Sequence, residues 1–248
     1  MIQLKSSKEI ENIRKASRIV ALVLEDLENF VSVGCSTSDL NKRAEALIGK
    51  ESGIPAFKGY KGYPASICTS VNETVIHGIP GDYRLKDGDI IGLDVGVRYN
   101  GYCGDAARTV AIGSVKPDIM KLINVTRQAL DIAITKACVG NRIHDISNAI
   151  QTHAEKNGFS VVRDYVGHGI GTDIHEDPSI PNYGAAGTGP RIQEGMVLAI
   201  EAMVNMGTYK VRLLKEGWGV VTADGKPSAH FEHTVAVTEG GPEVLTIG

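Results

Sequence analysis

The chain has 248 residues, of which 42% are hydrophobic and 22% are charged, and its formal net charge at pH 7 is −3. This is the composition of a globular chain long enough for a sizeable core, and it excludes a linker or a coiled coil. The small net charge, without a stripe of Lys and Arg interleaved with aromatic residues, argues against nucleic acid or an anionic membrane as the partner.

The four cysteines are far apart in the sequence and form no C-x-x-C pair. Neither a zinc knuckle nor a disulfide framework is therefore predicted, and reduced thiols are the default. The amino terminus carries scattered charges where a secretory signal needs an apolar core, and no run of about 18 apolar residues follows. We expect a cytoplasmic protein.

Helical periodicity predicts two helices at the start of the chain. Apolar residues recur at helical spacing from Ser7 to about Phe30, and a second helix is predicted from about Ser38 to Glu51. A tract rich in Gly, Tyr and Pro follows over residues 54–82 and is predicted to be non-helical.

Residues 86–113 are predicted to form a β-hairpin, because two runs rich in Val, Ile and Leu meet at Asn100-Gly101, a dipeptide suited to a type I′ turn. In that register Gly96 faces Asp105, and Asp94 lies two residues further along the same face, with the Cα atoms of the two aspartates about 7–8 Å apart. An ionised Asp94 within an apolar strand is costly unless a cation or hydrogen-bond donors compensate it.

The hairpin pattern recurs later in the chain. DGDIIGLD, ending at Asp94, is matched by EGMVLAIE, ending at Glu201, at an offset of 107 residues (201 − 94). The return strands also correspond, because Asp105 and Glu232 each stand an even number of residues before a similar apolar tetrapeptide. A lone aspartate could pair with a neighbouring arginine, but four carboxylates on two related hairpins can converge on a cation.

Two further helices are predicted after the first hairpin, from about Pro117 to Ala137 and from His144 to Asn157. Both halves then run helix, helix, irregular tract, hairpin, which predicts an α+β fold with an antiparallel sheet covered by helices and a pseudo-twofold axis. We expect a single catalytic domain over residues 1–248, with halves near 7–113 and 114–240 and a ligand crevice between them.

Histidines in a glycine-rich segment add to the candidate site. His168 stands between two glycines and His175 follows seven residues later, without the spacing of a dinucleotide loop. Either histidine could instead have a purely structural role: His168 could hydrogen-bond to the backbone of a turn, and His175 could pair with a neighbouring acidic residue on the surface. One imidazole with four carboxylates is nevertheless the ligand set expected for two divalent cations about 3.5–4 Å apart. The candidate ligands are Asp94, Asp105, His168, Glu201 and Glu232.

Several motifs closely resemble those of the methionine aminopeptidases, and specifically their short type I form. They are LDVG, GDAARTV, GHGIG with a following histidine, AIEAM and FEHTVAV, and the resemblance extends from Ile10 to Val237. It implies the pita-bread fold and removal of the initiator methionine from nascent polypeptides, with a hydroxide that bridges two metal ions attacking the first peptide bond. Co, Mn, Fe(II) and Zn all suit such ligands, so the sequence does not name the metal.

The resemblance also implies roles for individual residues. Asp94 would be the terminal ligand of one metal ion, Asp105 and Glu232 the bridges, and His168 with Glu201 would complete the other. His175 would stabilise the oxyanion, His77 would contact the scissile amide, and Glu201 is the usual candidate for moving protons. The residues that would line the methionine pocket or contact the substrate are Phe57, Tyr60, Tyr63, Cys68, His77, Ile174, His175 and Trp218.

The pocket residues are open to a second interpretation. Tyr60, Tyr63 and Trp218 could each be ordinary core aromatics rather than pocket lining. Phe57 stands where the family often has a cysteine, and Ile174 where an aromatic residue often precedes the histidine. Both changes could reshape the methionine pocket and alter which second residues of the substrate are tolerated.

Two alternatives to this function remain. Prolidase and aminopeptidase P share the fold and the ligands, but they carry a large amino-terminal domain and a differently spaced histidine motif. A non-catalytic pita-bread binding protein typically lacks metal ligands, which are all present here.

The long insertion of type II aminopeptidases is also absent from the sequence between Gly158 and Glu232. We expect a monomer that acts on nascent chains beginning with Met, and association with the ribosome is left open.

Overall fold

The computed structural model describes residues 1–247, and its four α-helices follow the predicted pattern. They are α1 (Ser7–Phe30), α2 (Thr37–Lys50), α3 (Pro117–Ile134) and α4 (Ile143–Lys156). The bounds of α1 are those predicted. Helix α3 ends three residues earlier than predicted, because the N–H groups of Lys136 and Ala137 donate to carbonyls three residues back and so tighten the chain into a turn.

Capping boxes fix the amino ends of the first two helices. The Ser6 hydroxyl accepts the backbone N–H of Glu9, and the Glu9 carboxylate accepts the N–H of Ser6 at 2.8 Å. Ser36 and Asp39 repeat this arrangement at α2. Each box satisfies N–H groups that have no partner within the helix, and so sets where the helix begins. No helix among residues 1–247 combines the length and the apolar character needed to cross a bilayer.

Thirteen strands lie within the described residues, with one 3₁₀ turn at Tyr60–Gly62. The strands are β1 (Ile54–Pro55), β2 (Cys68–Val71), β3 (Thr74–Ile76), β4 (Ile90–Tyr99), β5 (Tyr102–Ala111), β6 (Ser160–Val161), β7 (Val166–Gly169), β8 (Glu176–Pro181), β9 (Val197–Asn205), β10 (Val211–Leu213), β11 (Val220–Thr222), β12 (Ser228–Thr238) and β13 (Gly241–Val244).

An antiparallel sheet forms the centre of the molecule, in the order β1-β4-β5-β12-β9-β7-β8. The pairs β4–β5 and β9–β12 lie side by side in it, joined through β5 and β12, while β10, β11 and β3 form a small second sheet. The register of the first hairpin is the predicted one, with Asn100 and Gly101 at positive φ and Gly96 opposite Asp105.

Alternation along the long strands places the core on one face of the sheet and the acidic residues on the other. In β4 the side chains of Leu93, Val95 and Val97 pack into an apolar cluster with α1 and α2. In β9 every second residue from Leu198 to Val204 packs against α3 and α4. Because successive side chains point to opposite faces, Asp94 and Glu201 are directed away from the helices.

Gly104 allows α1 to pack closely on β5. A Cβ at this position would lie 2.7 Å from the backbone nitrogen of Ser17 in α1. We therefore expect Gly104→Ala to lower the free energy of unfolding by about 1–3 kcal/mol, because the strand must move away from the helix. As a control, Gly49→Ala within α2 meets no atom within 4 Å and should stabilise the protein by about 0.5–1 kcal/mol. Urea unfolding measures both, and two variants with the same stability would contradict this account.

Candidate metal and substrate site

Five strands bring four carboxylates and one imidazole to the helix-free face of the sheet. Each side chain lies on a different strand, and each residue is at most 9% exposed. They are Asp94 on β4, Asp105 on β5, His168 on β7, Glu201 on β9 and Glu232 on β12. One potential ligand atom from each of Asp105, His168 and Glu232 lies within 4.8 Å of the others, a spacing at which a single ion could contact all three. Asp94 and Glu201 line the same cavity.

The acidic residues repel one another across the sheet. Glu201 and Glu232 are directly opposite in the β9–β12 register, where like charges are unfavourable. Burial raises the pKa of Asp94 to about 7, and burial together with the neighbouring carboxylates raises the pKa of Asp105 and Glu232 well above the usual range. Each of these shifts reflects a preference for the neutral form in the absence of positive charge.

Unpaired oxygen atoms show what this cluster lacks. Oδ1 of Asp94, Oδ1 of Asp105 and Oε1 of Glu232 are buried and accept no hydrogen bond from any described residue. Buried polar atoms are rarely left unsatisfied, and buried carboxylates are compensated by donors or by cations. The cluster therefore fits one or more divalent metal ions, which bind carboxylate oxygen and imidazole nitrogen.

The imidazole of His168 is oriented for metal binding. Its Nδ1 lies 2.9 Å from the carbonyl oxygen of Gly169. A carbonyl can only accept, so Nδ1 carries the proton and Nε2 is left with a free lone pair. A backbone partner of this kind is the usual support for a histidine ligand.

His175 lies at the mouth of the cavity between Tyr60 and His168. Its ring stacks on Tyr60 with centroids 5.2 Å apart, its Nδ1 is 3.0 Å from the Tyr60 hydroxyl, and its centroid is 4.3 Å from that of His168. Burial and the neighbouring His168 lower the pKa of His175 to about 3, so the ring is neutral near pH 7. When the Tyr60 hydroxyl donates to Nδ1, the proton resides on Nε2, which is then a donor.

His77, which also lines the cavity, is held in an unusual backbone conformation. Its φ is 59°, in the left-handed region that non-glycine residues rarely adopt. Its ring meets Trp218 and Tyr165 edge-on, with centroids 6.3 and 5.9 Å away. The hydroxyl of Tyr63 lies 3.0 Å from the carbonyl oxygen of Gly78, within hydrogen-bond distance, and supports the loop that presents His77.

Apolar and aromatic side chains form a wall that lines, together with the acidic cluster, one cavity of about 280 Å³. Tyr63 and Trp218 meet edge to face at 5.0 Å in this wall. The cavity is lined by Phe57, Tyr60, Lys61, Tyr63, Cys68, Ile76, His77, Asp94, Asp105, His168, His175, Glu201, Trp218, His230 and Glu232. Tyr60, Tyr63 and Trp218, which could have been core aromatics only, therefore lie where a ligand would contact them.

Ile174 is not among the described residues that line the cavity. It is 2% exposed and packs with Phe57, Tyr63 and Cys68 in one apolar cluster. Ile174 therefore supports the residues around the cavity from behind. Periodicity alone could not separate a lining residue from one that packs beneath the lining.

His230 is a site residue that the sequence analysis did not identify. It is 3% exposed, and its Nε2 lies 3.2 Å from an oxygen of Glu201 and 3.9 Å from one of Glu232. Burial alone would lower the pKa of His230, but the carboxylate of Glu201 raises it above the usual value. A signal was present, because His230 stands two residues before Glu232 and must share its face of β12.

Comparisons with known proteins agree on one family. Residues 11–239 match the model of metallopeptidase family M24. The chain is 54% identical over 247 residues to a methionine aminopeptidase of Clostridium perfringens, covering 100% of this chain and 99% of that one. It is 52% identical to methionine aminopeptidase 1 of Bacillus subtilis, with 99% of each chain covered. The crystal structure of a methionine aminopeptidase from Thermotoga maritima matches with a TM-score of 0.99 at 44% identity over the whole of both chains. The predicted pita-bread fold is confirmed.

The raised carboxyl pKa values predict how pH affects the protein after its metal has been removed. In the unfolded chain Asp and Glu titrate near pH 4. Because Asp94, Asp105 and Glu232 have raised pKa values when folded, the folded state binds more protons than the unfolded state near neutral pH, and stability falls as the pH rises. Histidines whose pKa is lowered by folding do not oppose this trend above about pH 7, since unfolded His titrates near 6.5.

We therefore expect the melting temperature of EDTA-treated protein to fall between about pH 7 and pH 9. Adding a divalent cation should raise the melting temperature most at the upper end of this range, where the carboxylates are charged. Thermal scans with and without Mn²⁺ provide the measurement. A metal-free protein that becomes more stable across this range would contradict the assigned electrostatics.

Proposed function

The chain belongs to metallopeptidase family M24, and we propose that it is a metal-dependent methionine aminopeptidase that removes the initiator methionine from nascent proteins. One observation carries the proposal: a single cavity joins a cluster of unpaired carboxylates to a wall of aromatic and apolar side chains. The first part suits metal-assisted hydrolysis and the second suits an apolar side chain next to the cleaved bond. The identity of the chain to methionine aminopeptidases along its whole length supports the same activity.

The proposed metal site holds two divalent ions, with Co, Mn, Fe(II) and Zn as the candidates. Asp94 would bind one ion, and His168 with Glu201 would bind the other. Asp105 and Glu232 would be shared between the two ions. The free lone pair on Nε2 of His168 and the unpaired Oδ1 atoms of Asp94 and Asp105 support this assignment. When bound, the ions supply an activated water at neutral pH and polarise the carbonyl of the scissile bond.

The histidines of the cavity are proposed to act on the substrate directly. His175, neutral and with its proton on Nε2, would donate a hydrogen bond to the scissile carbonyl oxygen as negative charge develops there. His77 would contact the scissile amide. Glu201 would move the proton to the leaving amine, and its carboxylate lies 3.2 Å from Nε2 of His230.

The methionine side chain is proposed to fill the apolar part of the cavity. Phe57, Tyr63, Cys68 and Trp218 would surround it, and Tyr60 would close the mouth. Aromatic walls suit a thioether because its polarisable sulfur makes favourable contacts with rings. Burial raises the pKa of the Cys68 thiol, so Cys68 would serve there as a small apolar surface and not as a nucleophile.

The organisation of the whole chain follows from this site. We propose one catalytic domain over residues 1–248 with halves near 7–113 and 114–240, because acidic ligands come from matching strands of both. We further propose that the protein acts as a monomer in the cytoplasm, close to ribosomes, since its substrate is a growing chain with a free amino end.

Three peptides test the proposed activity. The protein, reconstituted in turn with Mn²⁺, Fe²⁺, Co²⁺ and Zn²⁺, should release methionine from Met-Ala-Ser and leave acetyl-Met-Ala-Ser and Ala-Pro-Ala intact. A blocked amino end removes the group that selects the first peptide bond. Cleavage of Ala-Pro-Ala would indicate an X-Pro peptidase, and no cleavage with any metal would favour a binding protein.

Removing one ligand charge should abolish turnover without unfolding the chain. We expect Glu201→Gln to lower the rate on Met-Ala-Ser on the order of 10³-fold and to reduce bound metal, because metal stabilisation of the transition state is worth several kcal/mol. The fold should persist, since the change alters little volume and the amide oxygen of Gln can still accept a hydrogen bond from His230. Glu155→Gln, on the exposed surface of α4, is the matched control. An unchanged rate in Glu201→Gln would refute the assignment of this ligand.

His175→Ala separates oxyanion stabilisation from metal binding. We expect kcat to fall about 10²–10³-fold, because one donor to the developing charge is lost. KM and metal content should stay close to wild type. Kinetics with metal analysis provide the test, and His153→Ala on helix α4 is the control. Loss of metal in parallel with activity would mean that His175 holds a metal ion.

A further inference from the structure

A buried ion pair lies outside the cavity, behind the loop that carries His175. Nζ of Lys5 is 2.6 Å from Oε2 of Glu176, and the two side chains are only 3% and 8% exposed. The ion pairs that Lys and Arg side chains form elsewhere in residues 1–247 are all more exposed. Surface pairs contribute little, whereas a buried pair holds its partners firmly because neither charge can be left alone.

The carboxylate of Glu176 closes the loop that presents His175. While Oε2 binds Lys5, Oε1 accepts the backbone N–H of Asp173 at 3.2 Å and lies 3.5 Å from the hydroxyl of Thr172. Glu176 is also the first residue of β8 and directly follows His175. The side chain of Glu176 thus links both ends of the loop 172–176 to the ammonium group of Lys5.

Close packing presses this loop against the pair. A Cβ on Gly171 would lie 2.5 Å from Cε and Nζ of Lys5 and 2.6 Å from Oε1 of Glu176. The carbonyl of Gly171 accepts the N–H of Cys103 at 2.7 Å, which joins the loop to β5, the strand that carries Asp105. Gly171, at the start of the loop, is therefore packed tightly against the pair.

Lys5 is itself fixed by the backbone on both sides. Its N–H donates to the carbonyl of Gly195 at 2.7 Å, in the turn before β9, and Ser6 directly after it caps α1. The ammonium group thus belongs to a rigid part of the molecule. The amino-terminal segment reaches across the structure to hold a loop that is distant in the sequence.

We propose that Lys5 and Glu176 form a positioning pair that fixes His175 against the scissile carbonyl oxygen. The proposal rests on the proposed function, in which His175 acts on that oxygen. Neither residue touches the substrate, and neither lines the cavity. A displacement of a catalytic group by about 1 Å can cost 10²-fold in rate. Because the hydrogen bond from His175 strengthens in the transition state, loss of the pair should lower kcat more than it changes KM.

Lys5→Met, Glu176→Gln and the double variant test the pair. We expect each single change to lower kcat on Met-Ala-Ser at least about 10-fold, with KM within about 3-fold and metal content unchanged. The double variant leaves no unpaired buried charge, so it remains testable if a single variant folds poorly, and its kcat should be reduced as in the singles. Asp177→Asn is the matched control, because Asp177 adjoins Glu176 but forms only an exposed pair with the amino terminus and should keep full activity.

A double-mutant cycle with His175→Ala decides whether the pair acts through His175. In that background Lys5→Met should have no further effect on kcat, because the group it positions is gone. An equal fold-loss in both backgrounds would overturn the proposal and leave the pair a purely structural role. Full kcat in the folded double variant would overturn it as well.

Nuclear magnetic resonance of the ring of His175 gives a readout that does not depend on activity. In zinc-loaded protein labelled with ¹³C-histidine, the His175 signal, assigned by its loss in His175→Ala, should be single in wild type and shifted or broadened in the Lys5→Met/Glu176→Gln variant. An unmoved signal would overturn the positioning role even if wild-type protein cleaves Met-Ala-Ser. A moved signal in a protein that cleaves no peptide would instead refute the proposed function alone.

Discussion

Repulsion among buried carboxylates is the constraint on which the rest of this structure depends. Four acidic side chains from four strands share one side of a cavity, and two of them, Glu201 and Glu232, are directly opposite each other. Such an arrangement is unfavourable until positive charge is supplied, and the sheet holds it only because its opposite face packs on four helices. The stability of the core is thus what permits an electrostatically unfavourable site, whose repulsion a divalent cation would relieve.

The two sides of the cavity come from structures of different character. The acidic side lies on long paired strands, whose hydrogen bonds fix each carboxylate with little freedom. Much of the remaining lining comes from loops, in which His77 has a left-handed backbone and Tyr60 belongs to a 3₁₀ turn, while Cys68 and Ile76 lie on the short strands β2 and β3. Rigid strands suit ligands that must tolerate mutual repulsion, while loops can place rings around an apolar substrate. A site that binds metal on one side and a side chain on the other needs both kinds of support.

Contacts distant in the sequence extend this support beyond the cavity. Lys5 lies ahead of the first helix, yet its partner Glu176 directly follows His175. His230 likewise places an imidazole beside Glu201 without belonging to the proposed ligand set. His230 lines the cavity beside Glu201, whereas Lys5 lies outside it and contacts the residue that follows His175, so contacts around the site extend beyond its lining.

The sequence by itself determined the elements that depend on local chemistry. Asn100-Gly101 set the register of the first hairpin, and alternation then placed Asp94 and Asp105 on one face, because a strand has a period of two. The repeated pattern ending at Glu201 and Glu232 predicted a second acidic strand pair, and helical periodicity predicted the observed bounds of α1. Only the tertiary structure decided that Ile174 packs behind the cavity wall, that His230 approaches Glu201, and that Lys5 reaches Glu176. These are contacts between segments far apart in the chain. Periodicity can assign a residue such as His230 to one face of its strand, but which segments pack against that face depends on the tertiary structure.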